Sequence, residues 1–262
     1  MSVAVPGPLT LTALADVPAV QPGDDLAALL LAAAQTASSA GSAGSAGVTL
    51  KDGVLVVCQK IISKAEGRLV ELSSVEPSPE AIRIAREDDK DPRHVEVVLR
   101  ETVRIVRRGH RVMICETRHG FVCANAGVDL SNAPGDDVAV LLPEDSDASA
   151  RRLRDGLKAL TGHSVAVVVS DTFGRPWREG LVDIAIGCAG MAPIDDIRGQ
   201  TDWTGRELLV TTNATADQMA AAAGLLMVKD AGVPAVWISG LAPKGDGKLA
   251  DILRDQATDL FR

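Results

Sequence analysis

The stretch Val165–Gly205, VAVVVSDTFGRPWREGLVDIAIGCAGMAPIDDIRGQTDWTG, opens with an apolar, β-branched run from Val165 to Val169. Such a run predicts a fully buried strand, and the polar Ser170-Asp171-Thr172, followed by Phe173-Gly174, predicts its end. A carboxylate and a hydroxyl emerging there, with Arg175 and Arg178 in the loop beyond, could hold a divalent cation beside two guanidiniums suited to an anion. A phosphate is the client such a set implies. The plainer reading makes Asp171 the cap of the next segment and leaves both arginines in solvent.

Upstream, Ala148–Leu160 has amphipathic spacing, with Arg151, Arg152 and Arg154 on a solvated face, and follows a loop through Leu141-Leu142-Pro143 and Asp145–Asp147. An extended stretch, Phe121–Ala126, delivers Gly127-Val128-Asp129-Leu130-Ser131-Asn132, a second acid with an amide three residues later. Val103–Val106 and Arg111–Cys115 flank a turn at Arg108-Gly109-His110. Ser78-Pro79 opens one helix, and Asp91-Pro92-Arg93 opens another whose apolar positions are Val95, Val98, Leu99 and Val103. Val54–Cys58 predicts a short strand running into Gln59–Arg68, where Lys60 and Lys64, four apart, share a helical face. Nearer the start, Leu9–Leu14 alternates as a strand, Pro22–Asp25 supplies a turn and cap, and a helix runs from Leu26 to about Gln35. Residues 37–47, rich in Ser, Ala and Gly, predict a flexible insertion with no chemistry of its own.

Downstream, the pattern predicts a strand at Leu208–Thr212, an alanine-rich helix at Asp217–Met227, a strand at Val233–Ile238 and a helix over Leu249–Arg262. This mixture gives an α+β (mixed α/β) fold with mixed sheets, taken as one domain over 1–262. Neither a P-loop nor a dinucleotide-binding glycine signature is present.

Composition narrows the function. The 262 residues carry a formal charge of −8, which argues against nucleic acid as a partner and makes any phosphate site a local basic pocket. There is no Tyr, with three Phe and three Trp, so the core must be aliphatic. Cys58, Cys115, Cys123 and Cys188 lie far apart without metal-ligand spacing and are read as reduced and buried. No basic leader and no run of 18 apolar residues is found, so a soluble, cytoplasmic protein with no membrane partner is expected.

Asp129, Asn132, Asp171 and Thr172 are hard oxygen donors of the kind Mg²⁺ or Mn²⁺ accepts when a nucleotide's phosphates complete its shell; two unrelated loop caps are the alternative. Lys60, Lys64, Arg175 and Arg178 are the candidate counter-charges. The four histidines lack a nucleophile partner, which argues against triad chemistry. Asp171-Thr172-Phe173-Gly174 faintly echoes the nucleophile loop of haloacid-dehalogenase-type phosphohydrolases, with Phe173 where a second acid would stand. A non-enzymatic nucleotide-binding regulator is a third reading.

Over nearly its whole length the chain resembles the coenzyme F420-0:L-glutamate ligase family, in particular the ligase half of its two-domain actinobacterial members. The matching blocks are Cys58–Arg68 (CQKIISKAEGR), Gly127–Asn132 (GVDLSN), Leu141–Asp145 (LLPED), Ser170–Arg178 (SDTFGRPWR) and Ala185–Gly190 (AIGCAG). Asp196, Arg198-Gly199, Asp202, Gly205–Leu208 and Ala216-Asp217 also fit. The resemblance implies the gamma-glutamyl ligase fold and a GTP-dependent ligase. Its reaction adds L-glutamate to the lactyl carboxylate of the deazaflavin precursor coenzyme F420-0, and then a second glutamate, through an acyl phosphate.

It further implies that Asp129, Asp171 and Thr172 hold divalent metal, Mg²⁺ or Mn²⁺, with K⁺ as a further candidate. Asn132 and the turn Val17, Pro18, Ala19 and Val20 would touch GTP, as would Gln59, Lys60 and Lys64. Gln59 stands where Ser is common, and Lys229 where some relatives carry an acid or amide. For catalysis, Lys64 and Arg175 are expected to neutralise phosphate charge and Arg178 to bind a substrate carboxylate or phosphodiester. A homodimer is expected, without the flavin reductase domain of the fused relatives.

Overall fold

The valine run of the opening stretch lies at the centre of the protein: Val167, Val168 and Val169 have no solvent exposure. The computed structural model describes residues 7–37, 47–255 and 257–260. Strand β1 (Thr10–Leu14) is followed by helix α1 (Leu26–Thr36), capped by Asp25, whose carboxylate accepts from the Ala27 and Ala28 amides. Strand β2 (Gly53–Cys58) passes straight into helix α2 (Gln59–Ala65). Val54 to Val57 are as fully buried as the valines beside them, the pattern of strands covered on both faces.

A second group of elements follows. Strand β3 (Leu69–Glu71) leads to helices α3 (Pro79–Asp88) and α4 (Pro92–Arg100), each opened by a side-chain cap and a proline, Ser78-Pro79 and Asp91-Pro92. Then come strands β4 (Thr102–Gly109), β5 (Val112–Thr117) and β6 (Val122–Ala124), which form a three-stranded antiparallel sheet. Val103 therefore belongs to β4, two-thirds exposed, and not to the α4 stripe. Strand β7 (Val138–Val140) pairs with β3. These pieces enclose their own apolar cluster, which includes Ile84, Val95, Val98, Met113 and Leu141.

Helix α5 (Ser146–Thr161) then leads into β8 (Ala166–Arg175) and β9 (Arg178–Ala189). Strand β10 (Asp195–Asp196) pairs with β11 (Thr212–Asn213), helix α6 (Thr215–Gly224) follows, and β12 (Ala235–Ser239) returns to the main sheet. That sheet has the order β1-β12-β2-β8-β9, with β2 and β8 parallel and every other pair antiparallel. Helices α5 and α6 pack along β8 and β9, and α1 packs on α5.

β9 lies at the sheet edge, and its exposed ladder is closed by helix side chains. The Ala185 amide donates to Asp217 of α6 at 3.0 Å and the Cys188 amide to Asp147 of α5 at 2.8 Å. Asp147 also accepts from the Leu249 amide at 3.0 Å, tying the distal segment to the same helix. Unpaired strand edges are otherwise free to recruit other chains.

Three expectations are corrected. The strand through the valines does not stop at Ser170. It continues to Arg175 because β9 turns back at Pro176-Trp177 and supplies the ladder, with register shifts at Val169/Ser170 and Phe173/Arg175. Asp171 is thus a strand residue and not a helix cap. The Leu208–Thr212 strand shrinks to Thr212–Asn213, leaving Leu209 and Val210 exposed. Beyond Leu249 there is a single 3-10 turn, Leu249–Asp251, in place of a helix; residues 256, 261 and 262 of that expected helix, like 38–46 of the expected insertion, lie outside the described residues. Among the described residues no helix is long and apolar enough to cross a membrane.

Candidate active site

Cys58 and Ser170 are cross-strand partners in the parallel pair, and beyond them the two strands part. β2 ends and its chain winds into α2, carrying Lys60 and Lys64 on successive turns, while β8 continues and presents Asp171 and Thr172. A cleft of about 230 Å³ opens between them, walled by Val17–Val20 after β1 and by Met227–Lys229 and Gly232–Pro234 before β12. Lys60, Lys64, Asn132, Asp171 and Thr172 all line it. A second cavity of about 220 Å³ lies between β6 and the β8–β9 hairpin, lined by Asp129, Asn125, Gly127, Phe173 and Leu181 among others. Lys60, Asp171, Thr172 and Lys229 face both cavities and form the wall between them.

Asp129 and Asp171, from separate segments, both line the second cavity. Lys60 Nζ lies 2.7 Å from Asp129 Oδ2, in a pair largely withdrawn from solvent. Asp129 is further fixed by the Ser131 amide at 2.7 Å and hydroxyl at 3.0 Å. Burial pulls the Lys60 ammonium down, but the bonded Asp129 carboxylate, with Cys58 and Asp171 nearby, holds the lysine above its ordinary value. For Asp129, burial pushes up, but the bond and charge of Lys60 together with the Ser131 amide and hydroxyl hold the acid below the ordinary carboxylate range. Asp171 makes no ion pair among the described residues. Packing around its carboxyl pushes it up to about 6, the Thr172 amide and Lys60 pull against that, and the charges of Asp129 and Asp183 add to the rise. Burial lowers Lys64, which sits among fewer acids.

Not every expected residue is gathered here. Gln59 is fully buried below the cleft, where Ser63 Oγ donates to its Oε1 at 2.8 Å, so it does not line the cleft. Arg175 and Arg178 are exposed at the tip of the β8–β9 hairpin and line neither cavity; the Arg175 guanidinium donates to the Gly180 carbonyl at 3.4 Å. The reason is the unbroken hairpin, which carries them beyond the site that a short loop would have kept them in.

Asp183 is the site residue the sequence reading passed over. It lies opposite Thr172 across the hairpin, accepts from the Thr172 hydroxyl at 2.7 Å and lines the first cleft. The signal was the lone acid in Leu181-Val182-Asp183-Ile184, which comes to lie on the same face as Thr172 once the two strands are paired.

Asp171 and Thr172 on the shared wall, with Asp129 in the second cavity and Asp183 in the first, offer only oxygen donors, which would suit a hard cation such as Mg²⁺ or Mn²⁺ and not a soft one. Among the described residues no three His, Cys, Asp or Glu side chains are clustered tightly enough to hold a metal by themselves. Such a site fits a cation whose remaining ligands come from a phosphate or water.

An acidic protein with lysines gathered at one two-chambered site is a candidate for joining two anionic substrates. A sequence profile of the F420-0:Gamma-glutamyl ligase family matches residues 15–240, and the chain belongs to that family. Among its relatives, the coenzyme F420:L-glutamate ligase of Methanothermobacter thermautotrophicus is 44% identical over 259 residues, 97% of this chain and 99% of the relative. The enzyme of the same name from Methanopyrus kandleri is 46% identical over 250 residues, 93% of each chain. That from Methanocaldococcus jannaschii is 43% identical over 216 residues, 81% of this chain and 86% of the relative.

Proposed function

We propose that the chain is a GTP-dependent ligase that joins L-glutamate to coenzyme F420-0, and then to the monoglutamyl product, through an acyl phosphate. Family membership supports the coarser part, an F420:L-glutamate ligase in coenzyme F420 biosynthesis. The observation that carries the rest is the wall of Lys60, Asp171, Thr172 and Lys229 shared by two cavities. A carboxylate is a poor electrophile, so an amide forms in water only after the carboxylate has been activated. The γ-phosphoryl group of GTP passes to a carboxylate oxygen, GDP leaves, and the glutamate amine displaces phosphate from the acyl carbon.

Both first reactants are anions, which must come within about 3–3.5 Å of one another. Lys60 and Lys229 supply positive charge at the wall, and Lys64 and Asn132 face the triphosphate in the first cleft, with the Val17–Val20 turn against the nucleoside. Asp129, Asp171 and Thr172 would hold Mg²⁺ or Mn²⁺, which supplies charge neutralisation for the transferring phosphoryl group. Thr172 is held in place by Asp183, and Asp129 by Lys60 and Ser131. Arg175 and Arg178 line neither cavity and are given no role in this cleft; a homodimer, which the family resemblance implies, is part of the same reading.

The test is an incubation of the chain with GTP, Mn²⁺, L-glutamate and the deazaflavin precursor, followed by mass. The expected result is a glutamate-sized increment with release of phosphate, lost in Asp171→Asn while the circular dichroism spectrum is kept. Near-normal turnover by that variant defeats the assignment of Asp171. Phosphate release without any increment would favour a hydrolase, and GTP binding without release a regulator.

A further inference from the structure

The second cavity shares Lys60, Asp171, Thr172 and Lys229 with the nucleotide cleft. We propose that this cavity is the chamber of the acceptor, receiving the carboxylate-bearing tail that is to be activated and not the free glutamate that attacks it. The inference rests on the ligase reading and gives its second substrate a place.

Connectivity comes first. Phosphoryl transfer requires donor and acceptor oxygens in line and nearly touching, so the acceptor must occupy a space that opens onto the phosphate end of the nucleotide cleft. The second cavity does so along four side chains, whereas the cavity beside Asp25 and Glu66 shares none of them.

The lining then separates the two candidate acids. Free glutamate presents two carboxylates and an ammonium, which call for several counter-charges. The chamber's two cations, Lys60 and Lys229, share it with Asp129 and Asp171, and the rest of its lining includes Phe173, Leu181, Val128 and Cys123, the last a neutral thiol that burial pushes up to about 12. Lys60 is already paired with Asp129, so Lys229, which makes no ion pair among the described residues, remains for an incoming carboxylate. One unpaired cation, with the carboxylates of Asp129 and Asp171 in the same lining to repel a second anionic group and Phe173, Leu181 and Val128 to pack against carbon, suits the single carboxylate at the end of a larger molecule. The chamber is open on the side of exposed Ala124 and Gly174, where the body of such a molecule can extend.

Two substitutions narrow the chamber from that open side. Ala124→Trp adds bulk from β6. Gly174→Val adds it from β8, where a Cβ would have its first neighbour, Leu181 Cδ2, at 3.9 Å, and Gly174 has no positive φ to strain. Ala19→Trp is the reciprocal change in the nucleotide cleft. Binding of the fluorescent deazaflavin precursor is followed by polarisation without nucleotide, binding of a fluorescent guanine nucleotide separately, and KM is measured for both acids.

The expected result for the first two variants is a rise of about tenfold or more in the acceptor's Kd and KM, the scale of a steric misfit in a pocket. Nucleotide Kd and glutamate KM should stay within about twofold, and Ala19→Trp should show the converse. Unchanged acceptor binding in both chamber variants, or a rise confined to the glutamate KM, overturns the proposal. If the unaltered chain binds the precursor with this pattern but adds no glutamate, the ligase reading fails and the chamber stands. If it adds glutamate and the chamber variants bind and turn over normally, the chamber fails and the ligase reading stands.

Discussion

Gly224, the last residue of α6, lies against Asp183, and a methyl group there would test how the site is held together. A Cβ at this position would fall 2.8 Å from Asp183 Oδ2, 3.0 Å from Cγ and 3.2 Å from Cβ. The helix backbone itself gains from Gly224→Ala, by up to about 1 kcal/mol in helix propensity. Against that, the Asp183 carboxylate must swing away and surrender its 2.7 Å bond from Thr172, a charge-assisted contact worth about 1.5–3 kcal/mol. Because Thr172 is exposed, water replaces part of that loss, and the net change in stability should lie within about 1–2 kcal/mol. At about 2–4 °C per kcal/mol for a chain of this size, Tm should move by less than about 8 °C. Activity has no such compensation: a Thr172 hydroxyl released from Asp183 forfeits its orientation toward the cleft, and kcat/KM should fall about tenfold to a hundredfold. Calorimetry and steady-state glutamylation measure the two quantities on one preparation. The double variant Gly224→Ala/Asp183→Ala should be no worse than Asp183→Ala, because both act through one contact. A kcat/KM within twofold of the unaltered chain, or strict additivity in the double variant, refutes the reasoning.

Asp147→Ala strips the acceptor from the Cys188 and Leu249 amides, costing about 1–3 kcal/mol for each that stays buried; Tm should fall by about 5–15 °C, with Asp147→Asn milder because its amide oxygen can still accept. Gly53→Ala would set a methyl 2.4 Å from the Ile238 carbonyl oxygen and 2.5 Å from the Trp237 ring, in the middle of a rigid sheet. It should lower the urea midpoint by the equivalent of more than about 2 kcal/mol, and an unchanged midpoint would mean that β2 and β12 can slide apart. Burial and then Lys90 hold His94 below the ordinary imidazole value, so between that lowered value and the unfolded value near 6.5 the unfolded chain binds the extra proton. His94 therefore contributes stability above about pH 6.5 that is lost as pH falls. Urea midpoints at pH 7.5 and 5.5 should differ less in His94→Gln than in the unaltered chain, and an equal difference would count against it.

The elements that the sequence made legible were those whose own side chains dictate them. Val54–Cys58 and the Val165–Val169 run could only be buried strands, and Ser78-Pro79 and Asp91-Pro92 carry their helix starts in adjacent residues. What misled was structure imposed by a distant partner. Ser170-Asp171-Thr172 and Gly174-Arg175 have little strand preference of their own, and only pairing with β9 keeps them extended. The same effect hid Asp183, whose relation to Thr172 exists only after the hairpin closes, and moved Arg175 and Arg178 out of the site. The convergence of Asp129 and Asp171 was accessible from the family resemblance, whereas the Lys60–Asp129 ion pair that accompanies it follows from how α2 leaves the sheet.

The unequal lengths of β2 and β8 set a distance as well as a cleft. Five residues of β8 project past Ser170, the partner of Cys58, and at about 3.3 Å per residue they place the Arg175 backbone roughly 17 Å beyond the sheet rim. The root of this ribbon is clamped by Asp217 and Asp147, whereas Arg175, Trp177 and Arg178 at its tip stand exposed. Reactive groups thus stand on an immobile base, and the overhang can be trimmed, extended or re-lettered in descendants without disturbing them, so the choice of which bulky substrate is admitted can drift while the bond-making chemistry stays fixed.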